Sequence, residues 1–168
     1  SKIDNNLSLE TKKFNDWFIM KQLHDALEKN SKLIDNFLNS HLPKPFGLNK
    51  KLIDAMRYSI LGSGKKIRGF LVMETGKLLS SNFYDDSDIL NEFLVAAAAI
   101  ESSHSYSLIH DDLPSMDNSD FRRGKKSTHT KFDEATAILA GDALQSWSFE
   151  LISNPENIKS STKRSELI

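Results

Sequence analysis

The sequence predicts an all-α fold, and three observations carry that expectation. Apolar residues recur at three- and four-residue spacing over long stretches, which is the period of a helix face. The run Phe93–Ile100, FLVAAAAI, is apolar on all sides, as in a helix enclosed by others. Glycine and proline, seven and four in 168 residues, fall between the periodic runs and punctuate them.

The elements follow in order. Residues 1–15 are polar and are expected as a weakly ordered leader or a short leading helix. Phe14, Trp17, Phe18, Leu23, Leu27, Leu33, Ile34, Phe37 and Leu38 then trace one apolar stripe on a helix. Pro43, Pro45 and Gly47 place a loop over 39–47, with Phe46 inside it as a core anchor. Leu52, Ile53, Met56 and Ile60 define a helix over 49–61. GSGKKIRG, 62–69, follows with Lys65, Lys66 and Arg68. It lacks the glycine pattern and the Lys-Ser/Thr pair of a P-loop. Taken alone it reads first as a solvated basic connection, with phosphate contact as the second reading.

A helix over 70–79 and a loop over 80–88 come next, the loop ending in an N-cap candidate, Ser87 or Asp88. A long helix over 89–109 holds Glu101, which either faces a cavity or reaches a polar neighbour. Another long helix is expected over 131–152, with Ala135, Ile138, Leu139, Ala143, Leu144 and Trp147 in step. Asp142 within it is either a cavity acceptor or the cap of a kink at Gly141. Asn154 and Pro155 end this element, and 156–168 is a polar tail with a short helix start.

The chemistry concentrates in His104–His129, HSYSLIHDDLPSMDNSDFRRGKKSTH. Asp111, Asp112 and Asp117 are costly together unless a cation neutralises them. Their hard oxygens suit Mg²⁺, which keeps waters and takes one or two carboxylates plus substrate phosphates. Arg122 and Arg123 match phosphate geometry. The joint reading is a Mg²⁺–diphosphate site; the plain alternative is a polar capped loop between helices. Pro114 restricts the backbone before it and should end the helix near the acidic pair. The break lets Asp117 fold back, whereas a continuing helix would carry it to another face. His104 lies two turns before Asp111 on the same face, either toward that cavity or as a core histidine. Tyr106, five residues before Asp111, either limits a cavity below the site or simply packs.

Composition narrows the classes. The net charge of −1 gives no global field toward nucleic acid or an anionic membrane. There is no cysteine, hence no thiol nucleophile and no thiolate metal site. The first residues show no apolar signal-peptide core, and Phe93–Ile100 is too short to cross a bilayer. A cytoplasmic protein without stable membrane insertion is therefore expected.

LIHDDLPSMDNSDFRRG and AILAGDALQ resemble the short-chain trans-polyprenyl diphosphate synthases, in particular the bacterial farnesyl-forming type. The resemblance covers roughly Leu33–Leu151 and rests on DDxxxxD followed by RRG. It implies an isoprenoid-synthase-type helical bundle of which 1–168 is the amino-terminal part. It implies three Mg²⁺ ions in an intact enzyme. Two are held by the first aspartate-rich motif through Asp111 and Asp117, with Asp112 in support. Arg122 would hold the allylic diphosphate, and Arg123, Lys65, Arg68 and His104 the isopentenyl diphosphate. Tyr106 would limit chain length. The implied reaction condenses isopentenyl diphosphate with dimethylallyl, then geranyl, diphosphate to farnesyl diphosphate in a homodimer. The family's basic motif is usually GGKRxRP; here Ser63, Lys66 and Gly69 depart from it. A second aspartate-rich motif does not occur after Asp142, so a fragment inactive by itself is expected. The alternatives are a non-catalytic helical subunit related to the synthases, a geranylgeranyl-forming enzyme, a generic metal-binding module or a terpene cyclase.

Overall fold

The computed structural model describes the backbone of residues 2–62, 64–80 and 87–168, with side chains from residue 13 onward in those ranges. Ser63 and most of the expected 80–88 loop lie outside the described residues. The chain runs through α1 (Lys2–His41), a 3-10 turn (Gly47–Asn49), α2 (Lys50–Ile60), α3 (Ile67–Leu79) and α4 (Ser87–Asp111). A hairpin, β1 (Phe121–Arg122) and β2 (Lys125–Lys126), precedes α5 (Thr128–Lys131), α6 (Glu134–Ser153) and α7 (Ser161–Leu167). The all-α expectation holds, with a two-residue-per-strand antiparallel ribbon as the departure from it.

The alanine-rich helix is central, as its composition requires. Val95, Ala97, Ala98 and Ala99 of α4 are buried, and α4 packs chiefly against α6 and α3. Small residues let two backbones approach: Ala137, Ala140 and Gly141 of α6 are buried in turn. A Cβ on Gly141 would sit 2.2 Å from His110 Nε2, so that position accepts only hydrogen without rearrangement.

Several boundaries differ from the sequence expectation. Residues 2–15, expected as a weakly ordered leader or a short leading helix, are continuous with α1. Of the α1 stripe, Ile34, Phe37 and Leu38 are buried, whereas Phe14, Trp17 and Phe18 are exposed. Phe46 is 83% exposed and anchors nothing in the core, because the link between α1 and α2 runs over the surface. Helix α3 begins at Ile67, three residues early, just past Lys66, whose backbone is left-handed (φ 49°, ψ 48°). The expected 131–152 helix is present as α6 but starts three residues later, after the short α5. Asp133 is its N-cap, accepting the Thr136 N–H at 2.8 Å, so that α6 starts at Glu134. The buried face of α6 is Ala137, Ala140, Leu144, Trp147 and Leu151, while Ile138 and Leu139 lie exposed. No described helix is long and apolar enough to cross a membrane.

Candidate diphosphate site

Helix α4 ends at Asp111, three residues before Pro114. The chain then folds back on itself. The Leu113 carbonyl accepts the N–H groups of Met116 (2.9 Å) and Asn118 (3.0 Å). Asp117 N–H donates to the Asp111 carbonyl at 2.8 Å, and Ser119 N–H to that of Asp112 at 3.1 Å. Asn118 takes a left-handed φ of 52°, a conformation asparagine tolerates better than most. The proline break thus brings the Asp117 backbone beside the acidic pair.

The adjacent aspartates meet different surroundings. Asp112 is buried and grips Arg122, whose Nε donates to Oδ1 at 3.1 Å and Oδ2 at 3.2 Å, with Nη2 also on Oδ1. Asp111 is half-buried and Asp117 exposed, and neither carboxylate has a hydrogen-bond or ion-pair partner among the described residues. Arg122 arrives on β1 because Arg123 and Gly124 form a tight turn, both at positive φ (51° and 77°). Two left-handed central residues give the turn whose twist suits a hairpin. The Tyr58 hydroxyl donates to the Lys126 carbonyl at 2.8 Å and ties the ribbon to α2.

Beneath the ribbon lies a cavity bordered by Lys66, Glu101, His104, Asp112, Arg122 and Arg123. Burial pushes the His104 imidazole below its ordinary pKa, and the Arg68, Arg123 and Arg122 cations push the same way against Glu101. The shift favours the neutral ring, which keeps one N–H to donate. Arg122 is held above its ordinary value first by its hydrogen bond to Asp112 and further by the charges of Asp112, Asp111 and Asp117. Three arginines thus act on one histidine, and three aspartates on one arginine.

A family model described as polyprenyl synthetase matches residues 49–167. The chain belongs to the polyprenyl synthetase family. It is 44% identical over 144 residues to the farnesyl diphosphate synthase of Haemophilus influenzae, covering 86% of this chain and 46% of that protein. A chloroplastic heterodimeric geranylgeranyl pyrophosphate synthase large subunit from Arabidopsis thaliana is 43% identical over 120 residues, 71% of this chain and 30% of that one. Among solved structures, an FPP/GFPP synthase from Zymomonas mobilis superposes with a TM-score of 0.78 at 41% identity, covering 86% of this chain and 50% of that chain. The chain spans between 30% and 50% of the length of these three relatives. These matches make its bundle an isoprenoid-synthase-type fold.

Within this polyprenyl synthetase chain the expected site residues divide. His104, Asp112, Arg122 and Arg123 border one cavity, and Arg68 acts on it through charge. Lys65 instead borders a separate groove with His24, Leu27 and Ser31 of α1. Tyr106 does not border the basic cavity. Its ring is half-buried and meets His110 edge to face at 5.5 Å, with His110 Nε2 3.0 Å from the Ile138 carbonyl. Glu101 satisfies both readings offered for it, bordering the cavity and accepting the Gly69 N–H at 2.8 Å. Asp142 is exposed, 3.7 Å from His110.

No three His, Cys, Asp or Glu side chains among the described residues form a cluster able to hold a metal by themselves. The donor set nonetheless fits Mg²⁺: Asp111 and Asp117 offer hard carboxylate oxygens on backbones joined at 2.8 Å. This ion takes one or two carboxylates and completes its shell with water and phosphate oxygen. Asp112, expected as a supporting metal ligand, is occupied by Arg122. Sequence reasoning missed Asp35 and the hairpin. An Arg-Gly pair was the available hairpin signal, weaker than the Asn-Gly or Asp-Gly that usually marks such a turn.

Proposed function

We propose that this chain forms the isopentenyl- and allylic-diphosphate-binding part of a prenyltransferase that makes farnesyl diphosphate. The substrates are isopentenyl diphosphate with dimethylallyl, then geranyl, diphosphate. The observation that carries the reading is the convergence of Arg68, Arg122 and Arg123 on His104, with Arg122 also within reach of the Asp111 and Asp117 charges. Two diphosphates need two sets of cations, and the ribbon supplies neighbouring arginines with different partners.

Asp112 binds Arg122 through Nε and Nη2 and so orients the guanidinium, leaving Nη1 for the allylic diphosphate. Arg123, Arg68 and His104 hold the isopentenyl diphosphate, His104 by a ring N–H. Lys65 joins them only by turning out of its present groove. Asp111 and Asp117 would hold Mg²⁺, which when bound would supply Lewis-acid stabilisation of the departing diphosphate. Preorganised cations at that end lower the cost of the charge that develops as the allylic C–O bond breaks. The apolar faces of α4 and α6 keep water from the allylic cation. Tyr106, beyond the acidic pair along α4, limits the length of the prenyl tail. The active assembly is a homodimer, as in the resemblance on which the reading draws.

The test is a condensation assay on the full gene product with Mg²⁺, labelled isopentenyl diphosphate and each allylic primer. The expected result is a C15 diphosphate, lost on Arg122→Ala and on Asp111→Ala. A folded, Mg²⁺-supplied protein that elongates neither primer overturns the reading.

A further inference from the structure

Lys66 is buried, while Lys65 and Arg68 on either side of it are exposed. Its ammonium donates to the carbonyl of Ile60, the last residue of α2, at 2.8 Å and lies 3.3 Å from Asp35 Oδ1 of α1. The same Asp35 oxygen accepts the Gly62 N–H at 3.3 Å. One carboxylate therefore holds both Gly62 and Lys66. Burial pushes the Lys66 ammonium below its ordinary range and Asp35 opposes that shift. The lysine backbone is left-handed (φ 49°), a conformation that a non-glycine residue keeps only where its surroundings enforce it.

Both ends of this arrangement lead to the cavity. Downstream, α3 starts at once, carries Arg68 in its first turn and is pinned by the Gly69 N–H on Glu101. Within the loop, Gly64 lies against the Arg123 guanidinium so closely that a Cβ there would be 2.0 Å from Nη1. The loop is at once the seat of Arg123 and the start of the helix that carries Arg68. We infer that Lys66 and Asp35 are positioning residues, whose ion pair ties the start of α3 to α1 and sets Arg68 and Arg123 for the isopentenyl diphosphate. The inference rests on the diphosphate reading of the cavity given above.

A positioning role and a plain charge effect differ in sign at Asp35. If the cations act only through the local field, removing an acid tightens anion binding. If Asp35 holds the loop, removing it weakens binding. The experiment is calorimetric titration of the full gene product with inorganic pyrophosphate in metal-free buffer, each variant checked for native helicity. Lys66→Met and Asp35→Asn should each weaken binding about tenfold, as misplaced binding groups do. Lys66→Arg should stay within about threefold of the parent, because it keeps the pair. Asp35→Asn carries the test even if Lys66→Met does not fold. Unchanged or tighter pyrophosphate binding by folded Asp35→Asn, with the parent binding normally, overturns the inference alone. A parent protein that does not bind pyrophosphate removes the diphosphate reading as well, and the two failures are thereby told apart.

Discussion

One face of α4 carries Glu101 and His104 to the basic cavity, joined there by Asp112 just past the helix end, and one carboxylate meets a backbone N–H and the other a guanidinium. Another face carries Tyr106 and His110, whose rings meet edge to face beside Gly141 of α6. The cavity face is fixed by ionic and hydrogen-bonded pairs, each of which leaves a buried polar group behind when one member is lost. The ring face is fixed by shape, and loses contacts in proportion to the volume removed. A single helix thus presents a charged face and an aromatic face that differ by rotation about its axis.

The largest effect should follow from breaking the cavity face. Arg122→Ala strands the Asp112 carboxylate, whose side chain is 4% exposed. Truncating one member of a buried pair costs about 3–5 kcal/mol, and the partial exposure of Arg122 puts this case at the low end. Asp112→Asn keeps an acceptor for the guanidinium and should cost less. Urea unfolding of both variants decides the matter. An Arg122→Ala loss no larger than that of an ordinary surface pair, about 0–1 kcal/mol, would show that the pair does not hold the ribbon down.

The ring face should respond to added volume next. Gly141→Ala drives a methyl into the space of His110, 2.2 Å from Nε2, and overpacking of this kind costs about 1–3 kcal/mol. His110 must move, and with it the edge that Tyr106 packs against. The variant should lose stability while keeping its affinity for pyrophosphate. If it loses pyrophosphate binding as strongly as Arg122→Ala, the two faces are not independent.

The cavity face was partly legible in the sequence because its residues are close in the chain. DDxxxxD, the proline break and the following arginines fixed the fold-back, and the observed Asp117–Asp111 backbone bond is what the break was expected to allow. The helical class was legible from period alone. Harder to read were contacts made by residues far apart in sequence. Nothing in the spacing tied Asp35 to Lys66 or Glu101 to Gly69, since the first pair joins α1 to the residue before α3 and the second joins α4 to α3. Periodicity also overstated burial: Phe14, Trp17 and Phe18 keep the α1 stripe and are exposed. A stripe records which side of a helix is apolar, and says nothing of what covers it. The capping aspartate at Asp133 escaped notice because the apolar rhythm runs on through it.

Tyr106→Ala tests the proposed use of the ring face in the full gene product. The residue lies five positions before Asp111, about 7–8 Å along a helix that rises about 1.5 Å per residue. A tail anchored by its diphosphate and running along α4 would meet the ring before going further. Removing it should shift product from C15 toward C20 or longer while leaving the first condensation largely intact. Because the ring is only half-buried, the stability loss should fall below the roughly 3–5 kcal/mol of a fully buried aromatic. Chromatography of dephosphorylated products reads the outcome. A folded, active variant that still stops at C15 moves the length limit off this face.

The smallest effect belongs to neither face and serves as their control. Asp133 caps α6 through the Thr136 N–H and also pairs with Lys51 of α2. The Lys51 hydrogen bond, followed by those from Thr136, holds its carboxyl down from 3.8 to about 2. A carboxyl lowered in the folded state binds fewer protons there than in the unfolded chain. Its contribution is therefore present above the ordinary value near 3.8 and is lost as pH falls through about 2. Asp133→Asn keeps a good N-cap but removes the charge. It should be slightly less stable than the parent at pH 7 and should converge with it in strong acid. Pyrophosphate affinity at neutral pH should not change, since Asp133 borders neither the cavity nor the rings. Urea midpoints measured from neutral pH down to about pH 2 give the comparison. A parent-to-variant gap that stays constant across that range would mean that the Lys51 pair contributes nothing to folding and that the cap alone starts α6.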